Sequence, residues 1–391
     1  MNVHITRGLG VAAAAVTAAG LAIPVTAAAA AGPASAGRLA RAPTAYVLSE
    51  GGPSGSNSPG IVTPISTVTN KPGKAIPAGK WPGGIAVTPD GKTIYVSNSG
   101  QGSVAGDTVT PISTATSKPG KPITVGKWPS EIAITPNGRT AYVVTASGVT
   151  PISTVTNKPG KTIPAGKAPS YIAITPNGRT AYVSDFGSGT VIPINTATDK
   201  PGKAIKAGAD PEYIGITPNG RTAYVSNEGS GTVTPINTAT NKPGKAIKVA
   251  DYPNSSMPAE IAFTPNGKTA YVLVEGIVGA GSLGVVPIQT ATNKPGKAIY
   301  VGLFPSSIVI TPKGNTVYAS SQAGLTPIST ATNKPGKAIK GVTGPMAITP
   351  DGRTIYARSG TSTMTPVSTA TSKLGKAIKV GLNPLSIVIT P

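Results

Sequence analysis

In a chain of 391 residues, 49 glycines and 40 prolines would point to disorder if they were scattered, but here they recur at fixed places and punctuate turns. The 34 basic residues against 13 acidic ones give a formal charge of +21, a long-range field that favours polyanionic partners and opposes self-association. No cysteine is present and the one histidine is His4, which excludes disulfides, lipid-modified cysteine, thiol nucleophiles and, once the N-terminal segment is removed, imidazole chemistry.

That segment has Arg7 in a short positive region, an apolar stretch from Leu9 to about Ile23, and small residues through Ala31 and Ala34-Ser35-Ala36. It has the pattern of a secretory signal peptide over residues 1–36, with cleavage near Ala31 or Ala36. Gly20 and Pro24 break its apolar run, which is too short to span a bilayer, so no transmembrane anchor is expected after its removal. The expected address is secreted or extracellular, with cell-wall association as a further option.

Beyond it, Lys-Pro-Gly-Lys returns at Lys71, Lys118, Lys158, Lys200, Lys242, Lys294 and Lys334, with a degenerate copy at Lys373-Leu374-Gly375-Lys376. Intervals of about 40 to 50 residues are those of repeat architectures. One unit runs from Trp81 to Ile123. It opens with the apolar run Gly84-Ile85-Ala86-Val87-Thr88, and Pro89-Asp90-Gly91-Lys92 then turns the chain back as a hairpin. Thr93-Ile94-Tyr95-Val96-Ser97 is a second strand rich in β-branched and aromatic residues, and Val109-Thr110-Pro111-Ile112 a third. Lys118-Pro119-Gly120-Lys121 reads as a type II turn leading into a fourth strand, Pro122-Ile123-Thr124-Val125. No helical periodicity follows the leader.

Four antiparallel strands per unit is the measure of a propeller blade, so the expected fold is all-β, a single closed β-propeller over residues 44–391. Tyr95-Val96-Ser97-Asn98 and Tyr224-Val225-Ser226-Asn227 resemble the signature of the YVTN-type β-propeller repeats, and Thr238-Ala239-Thr240-Asn241 resembles that family's threonine-rich turn. The resemblance implies a propeller of a kind found mostly in secreted or surface-associated bacterial and archaeal proteins, without fixing an activity. This chain departs from the pattern after Tyr271, Tyr318 and Tyr356, and in carrying Pro-Ile-Ser or Pro-Ile-Asn in the third strand.

The proline of that phrase recurs from Pro64 to Pro366 inside the third strand, where a lost ladder donor calls for a bulge or for brief pairing at a ragged outer edge. First strands and core tyrosines each number eight. The chain begins with a second strand at Tyr46 and ends just after a first strand at Ile387. Sharing one blade between the two ends removes exposed edges and predicts eight blades, with seven as the alternative.

By the parity of an up-and-down blade, the hairpin cations and the repeated lysines lie at one end, opposed only by Asp90, Asp199 and Asp351. Lys71, Lys74, Lys118, Lys121, Lys158, Lys161, Lys200, Lys203, Lys242 and Lys245 are thus candidates for polyanion binding, and equally for solubility and edge protection. Acids and aromatics gather at the other end, where the loops also lengthen. Trp81, Trp128, Glu131, Tyr171, Asp185, Glu212, Tyr213 and Glu260 are the ligand-binding candidates there. Glu131 and Glu260 hold the same position in nonadjacent blades, but two carboxylates are too few to claim a metal.

With no helix behind the glycine loops and no aromatics among the lysines, neither a cofactor nor sequence-specific nucleic-acid binding is expected. These readings together point to a monomeric, noncatalytic propeller, no enzyme, binding a ligand or protein at the cell envelope through its acidic and aromatic face. Attachment to an anionic wall polymer is the alternative. A carboxylate-dependent hydrolase or lyase using Glu131, Glu212 or Glu260 is a third.

Overall fold

The computed structural model describes residues 42–52, 58–101, 104–250, 256–276 and 284–391. The leader read in residues 1–36 lies outside them, as do Asp251, Tyr252 and the tips of the lengthened loops.

Eight antiparallel sheets form eight blades. Counted from the first complete blade, the inner strands are Pro82–Val87, Ile132–Ile134, Pro169–Ile174, Pro211–Ile216, Ser256–Phe263, Ser307–Ile310, Thr343–Ile348 and Pro384–Ile389. The last joins Thr44–Ser49, Pro59–Ser66 and Ile76–Lys80, so the eighth blade combines both ends of the chain. Ala45 opposite Ile389 and Val47 opposite Ile387 close the ring, as the split repeat predicts.

The core lies between blades. Tyr95 of the first blade packs with Val109 of its own sheet and with Ala141, Val143 and Ile152 of the second. Tyr142 repeats this with Ala181, Val183 and Ile194 of the third. Second strands are covered on both faces, which is why they read as continuous apolar runs.

Each hairpin between first and second strands is fixed by its own polar side chains. Thr135 Oγ1 donates to Asn137 Oδ1 at 2.7 Å, that oxygen accepts from Arg139 N at 3.0 Å, and Gly138 supplies a φ of 71°.

The Lys-Pro-Gly-Lys phrase is not the turn that the sequence suggested. Reversal occurs just before it: Asn157 N donates to Ser153 O at 2.8 Å, and Asn157 itself takes the left-handed conformation at φ 54°. Lys158–Pro159 then already pairs with Ser153 and Ile152 as the start of the outer strand. Gly160 is needed for closeness, since a Cβ there would stand 3.0 Å from Pro151 Cγ. The recurring third-strand proline is explained by the same contact. Pro151 O accepts from Gly160 N at 2.7 Å, so the missing donor of Pro151 also faces the outer edge and the ladder to the second strand loses nothing. The outer strand is accordingly split. In the third blade Lys200–Pro201 and Ile205–Lys206 pair with opposite ends of Thr190–Asn195, the ragged edge that the prolines foreshadow.

The left-handed turn residue also ties neighbouring blades. Tyr95 Oη donates to Asn157 Oδ1 at 2.7 Å, Tyr142 to Asp199 at 2.6 Å, Tyr182 to Asn241 at 2.6 Å, and Tyr356 to Asn70 at 2.5 Å across the point of closure.

Candidate active site

The inner strands share an irregularity that shapes the mouth of the central channel. In the first blade Pro82 pairs with Asn98 and Ile85 with Val96, so Gly83 and Gly84 together oppose Ser97 alone. The same two-against-one bulge lies between Pro169 and Ile172, Pro211 and Ile214, and Pro258 and Ile261. In the first, third and fourth blades a buried serine of the second strand stands opposite it, where the fifth has Leu273. Ser184 Oγ accepts from Tyr171 N at 3.0 Å and donates to Glu212 O of the next blade at 2.7 Å, while Ser226 Oγ donates to Ala259 O at 2.6 Å.

The second bulge position, and its equivalent in the second blade, carries Glu131, Tyr171, Tyr213 and Glu260 on four consecutive blades. The Tyr171 and Tyr213 ring centroids are 4.5 Å apart and the rings are tilted by 37°. Both phenols feel the charges of Glu131 and Glu260, so the four side chains converge in the channel. Glu260 is 2% exposed, with Oε2 accepting from Ile308 N at 2.9 Å. Its Oε1 and the Oε2 of Glu131 are out of solvent and without a hydrogen-bond partner, as are the hydroxyls of Ser307 and Ser386 at the equivalent inner-strand positions of the sixth blade, which has no bulge, and the eighth. Burial, reinforced by the charge of Glu212, pushes the Glu131 carboxyl up to about 8. Burial likewise raises Glu260 to about 8, against the pull of the Ile308 amide. Both tyrosines are held well above the ordinary phenol range, first by burial.

A second group of carboxylates borders this arc. Glu228 is driven up to about 9 by burial, by a hydrogen bond with Glu212, and by the charges of Glu212, Glu275 and Asp210. Glu275 rises to about 7 through burial and the charge of Glu212. Sequence reasoning did not single out Glu228 and Glu275 among the acids of this end. The signal that finds them is register: each stands at the same offset after the core tyrosine of its blade, Tyr224 or Tyr271.

The other predicted residues lie elsewhere. Asp185 is occupied in holding its own loop. Burial would raise it, but the Ser188 hydroxyl and the Ala168 and Lys167 amides, the amides at 2.8 and 3.0 Å, outweigh that and keep it below the usual range. Trp81 lines a shallow hollow with Lys80, Asn98, Asp107 and Thr108, and Trp128 stands 36% exposed in the turn before the second blade. Both take left-handed backbone, at φ 48° and 56°. Among the described residues no group of three or more acidic, histidine or cysteine side chains is arranged to hold a metal.

Fold and site together define a closed eight-bladed propeller with a carboxyl-lined channel. Residues 54–155 and 150–337 match the family described as lactonase, 7-bladed beta-propeller, and the chain belongs to that family, with one blade more than the description gives. No curated protein matches it significantly in sequence. Among solved structures it is similar to a dihydro-heme d1 dehydrogenase, with TM-score 0.70 and 15% identity over 88% of this chain and 74% of that one. It is also similar to a Bacteroides uniformis protein titled a 6-phosphogluconolactonase, with TM-score 0.57 and 16% identity over 90% and 100%. The Pseudomonas aeruginosa periplasmic gluconolactonase is a third, with TM-score 0.56 and 13% identity over 89% and 99%. At these identities the likeness speaks for the fold.

Membership in a lactonase family overturns the expectation of a noncatalytic scaffold that is no enzyme. That expectation came from seeking histidine and cysteine and gave little weight to carboxyls, of which Glu131 and Glu260 are held near neutrality by burial.

Proposed function

We propose that the protein is a lactone hydrolase whose chemistry takes place at the arc of Glu131, Tyr171, Tyr213 and Glu260. The observation that carries this reading is the pair of buried, partnerless carboxyl oxygens flanking two tyrosines inside the channel of a lactonase-family propeller. Near pH 8 both carboxyls are midway through titration, so the form with one ionised as base and the other protonated as acid is well populated. The ionised carboxylate takes a proton from water as the water oxygen bonds to the lactone carbonyl carbon. The protonated partner and the tyrosine hydroxyls donate to the developing oxyanion. The ring C–O bond then breaks, the leaving alkoxide receives the proton of the acidic partner, and an open hydroxy acid leaves.

The test is hydrolysis of a panel of sugar and aliphatic lactones by the wild type, Glu131→Gln and Glu260→Gln. Each amide variant should lose about 100-fold or more in kcat, the usual worth of general acid or base catalysis. Wild-type rates in both variants, or no turnover of any lactone, would remove the assignment. Within the family, the Tyr-Val-Ser-Asn phrases support the finer placement among YVTN-type repeats, and the composition of residues 1–36 supports export; N-terminal sequencing of the mature protein checks the latter.

A further inference from the structure

The other end of the molecule carries a feature that lactone hydrolysis does not use. All eight blades present the repeated phrase on their outer strand, and each of its two lysines is exposed in every copy. Lys158 sits at the end of its blade opposite Ser153, whereas Lys161 follows Gly160 down the flank beside Pro151. The lysines thus form a girdle that turns over the edge of the disc. Acids at this end are engaged: Asp90 lies 3.2 Å from Lys92, Asp351 lies 3.9 Å from Arg353, and Asp199 accepts from Tyr142. Among the described residues none of the repeated lysines is in an ion pair.

We propose that this girdle binds a flexible linear polyanion with closely spaced phosphate charges. Sixteen unpaired cations at regular places give charge complementarity along a curved path. Duplex DNA, with a persistence length of about 50 nm, pays a bending cost along such a path that a flexible strand does not. A planar anionic bilayer would meet the end lysines but not those on the flank. No aromatic residue interleaves the phrase, so stacking of single-stranded bases adds nothing.

The test measures binding of long-chain inorganic polyphosphate across a salt series. Each phosphate neutralised on a flexible strand contributes about −0.7 to the slope of log K against log salt, so about −3 or steeper reports several lysines engaged at once. Replacing Lys158, Lys161, Lys200, Lys203, Lys242 and Lys245 with glutamine should weaken binding at least tenfold and flatten the slope, with Tm unchanged. Replacing Lys80, Lys127 and Lys167, at the opposite end, should leave both nearly as they were. Equal losses in the two sets would reduce the effect to net charge and overturn the proposal. So would unchanged binding in the six-lysine variant, or capture of duplex DNA or anionic lipid vesicles as tight as that of polyphosphate.

Discussion

Glu131 and Glu260 hold carboxyls largely withdrawn from bulk water, so the folded state prefers them protonated up to about pH 8, while the unfolded chain ionises them near 4.5. Between these values the folded state binds more protons than the unfolded one, and stability falls as pH rises, by up to about 1.4 kcal/mol per pH unit for each group. Below the lower value the penalty is absent, and above the higher one it is constant. Thermal unfolding should show Tm declining to about pH 8 and, because Glu228 is held up to about 9, levelling only beyond that. Glu131→Gln removes one such penalty, so at pH 8 it should melt several degrees higher than the wild type while being far less active. A lower Tm at that pH would show that the carboxyl stabilises the fold. The same two groups set the catalytic profile: one must lose a proton and its partner keep one, so kcat/KM should be bell-shaped with its maximum near pH 8. A profile flat between about pH 6 and 9 would separate these residues from the chemistry.

The bulge and the hairpin turn convert single polar residues into geometry. Ser184 bonds the bulge that carries Tyr171 and the carbonyl of Glu212 in the next blade, so it positions two parts of the mouth together. Ser184→Ala should lower kcat more than KM and shift the pH profile, with Ser184→Thr restoring part of both; a loss of Tm alone would leave the serine a structural role only. At the opposite end Asn157 allows the left-handed turn and accepts from Tyr95. Asn157→Gly keeps the turn and Tyr95→Phe keeps the ring, so a double-mutant cycle should isolate a coupling of about 1 kcal/mol for the latch. A coupling near zero would mean that burial of the ring alone joins the blades.

Much of this was legible in the text of the chain. Strand order, blade number and the shared blade follow from core tyrosines and apolar runs, because each repeats with the same neighbours. The turn was misplaced because Pro-Gly satisfies two demands equally in sequence, a type II turn and close packing on a proline, and only the partner at Pro151 decides between them. Glu131, Tyr171, Tyr213 and Glu260 were visible as equivalent positions, but their convergence was not. It depends on a bulge with no composition of its own, and on the axial proximity of residues far apart in the chain.

At the scale of the whole molecule, the closing blade and the arc of acids lie on different sides of the ring, since the arc occupies the second to fifth blades and closure the eighth. Holding the ring shut falls to Thr44–Ser49, paired on one side to Pro59–Ser66 and on the other to Pro384–Ile389, and to the Tyr356 to Asn70 bond. Removing residues 1–49 would expose two strand edges and separate the ends of an otherwise continuous array, whose blades then unfold more independently. Calorimetry of that truncation should show a lower Tm and a van't Hoff enthalpy well below the calorimetric one. Tyr356→Phe should cost no more than the equivalent Tyr142→Phe inside the ring. If the truncated chain melts in a single sharp transition at the wild-type temperature, closure contributes nothing to stability and the blades are held by their lateral packing alone.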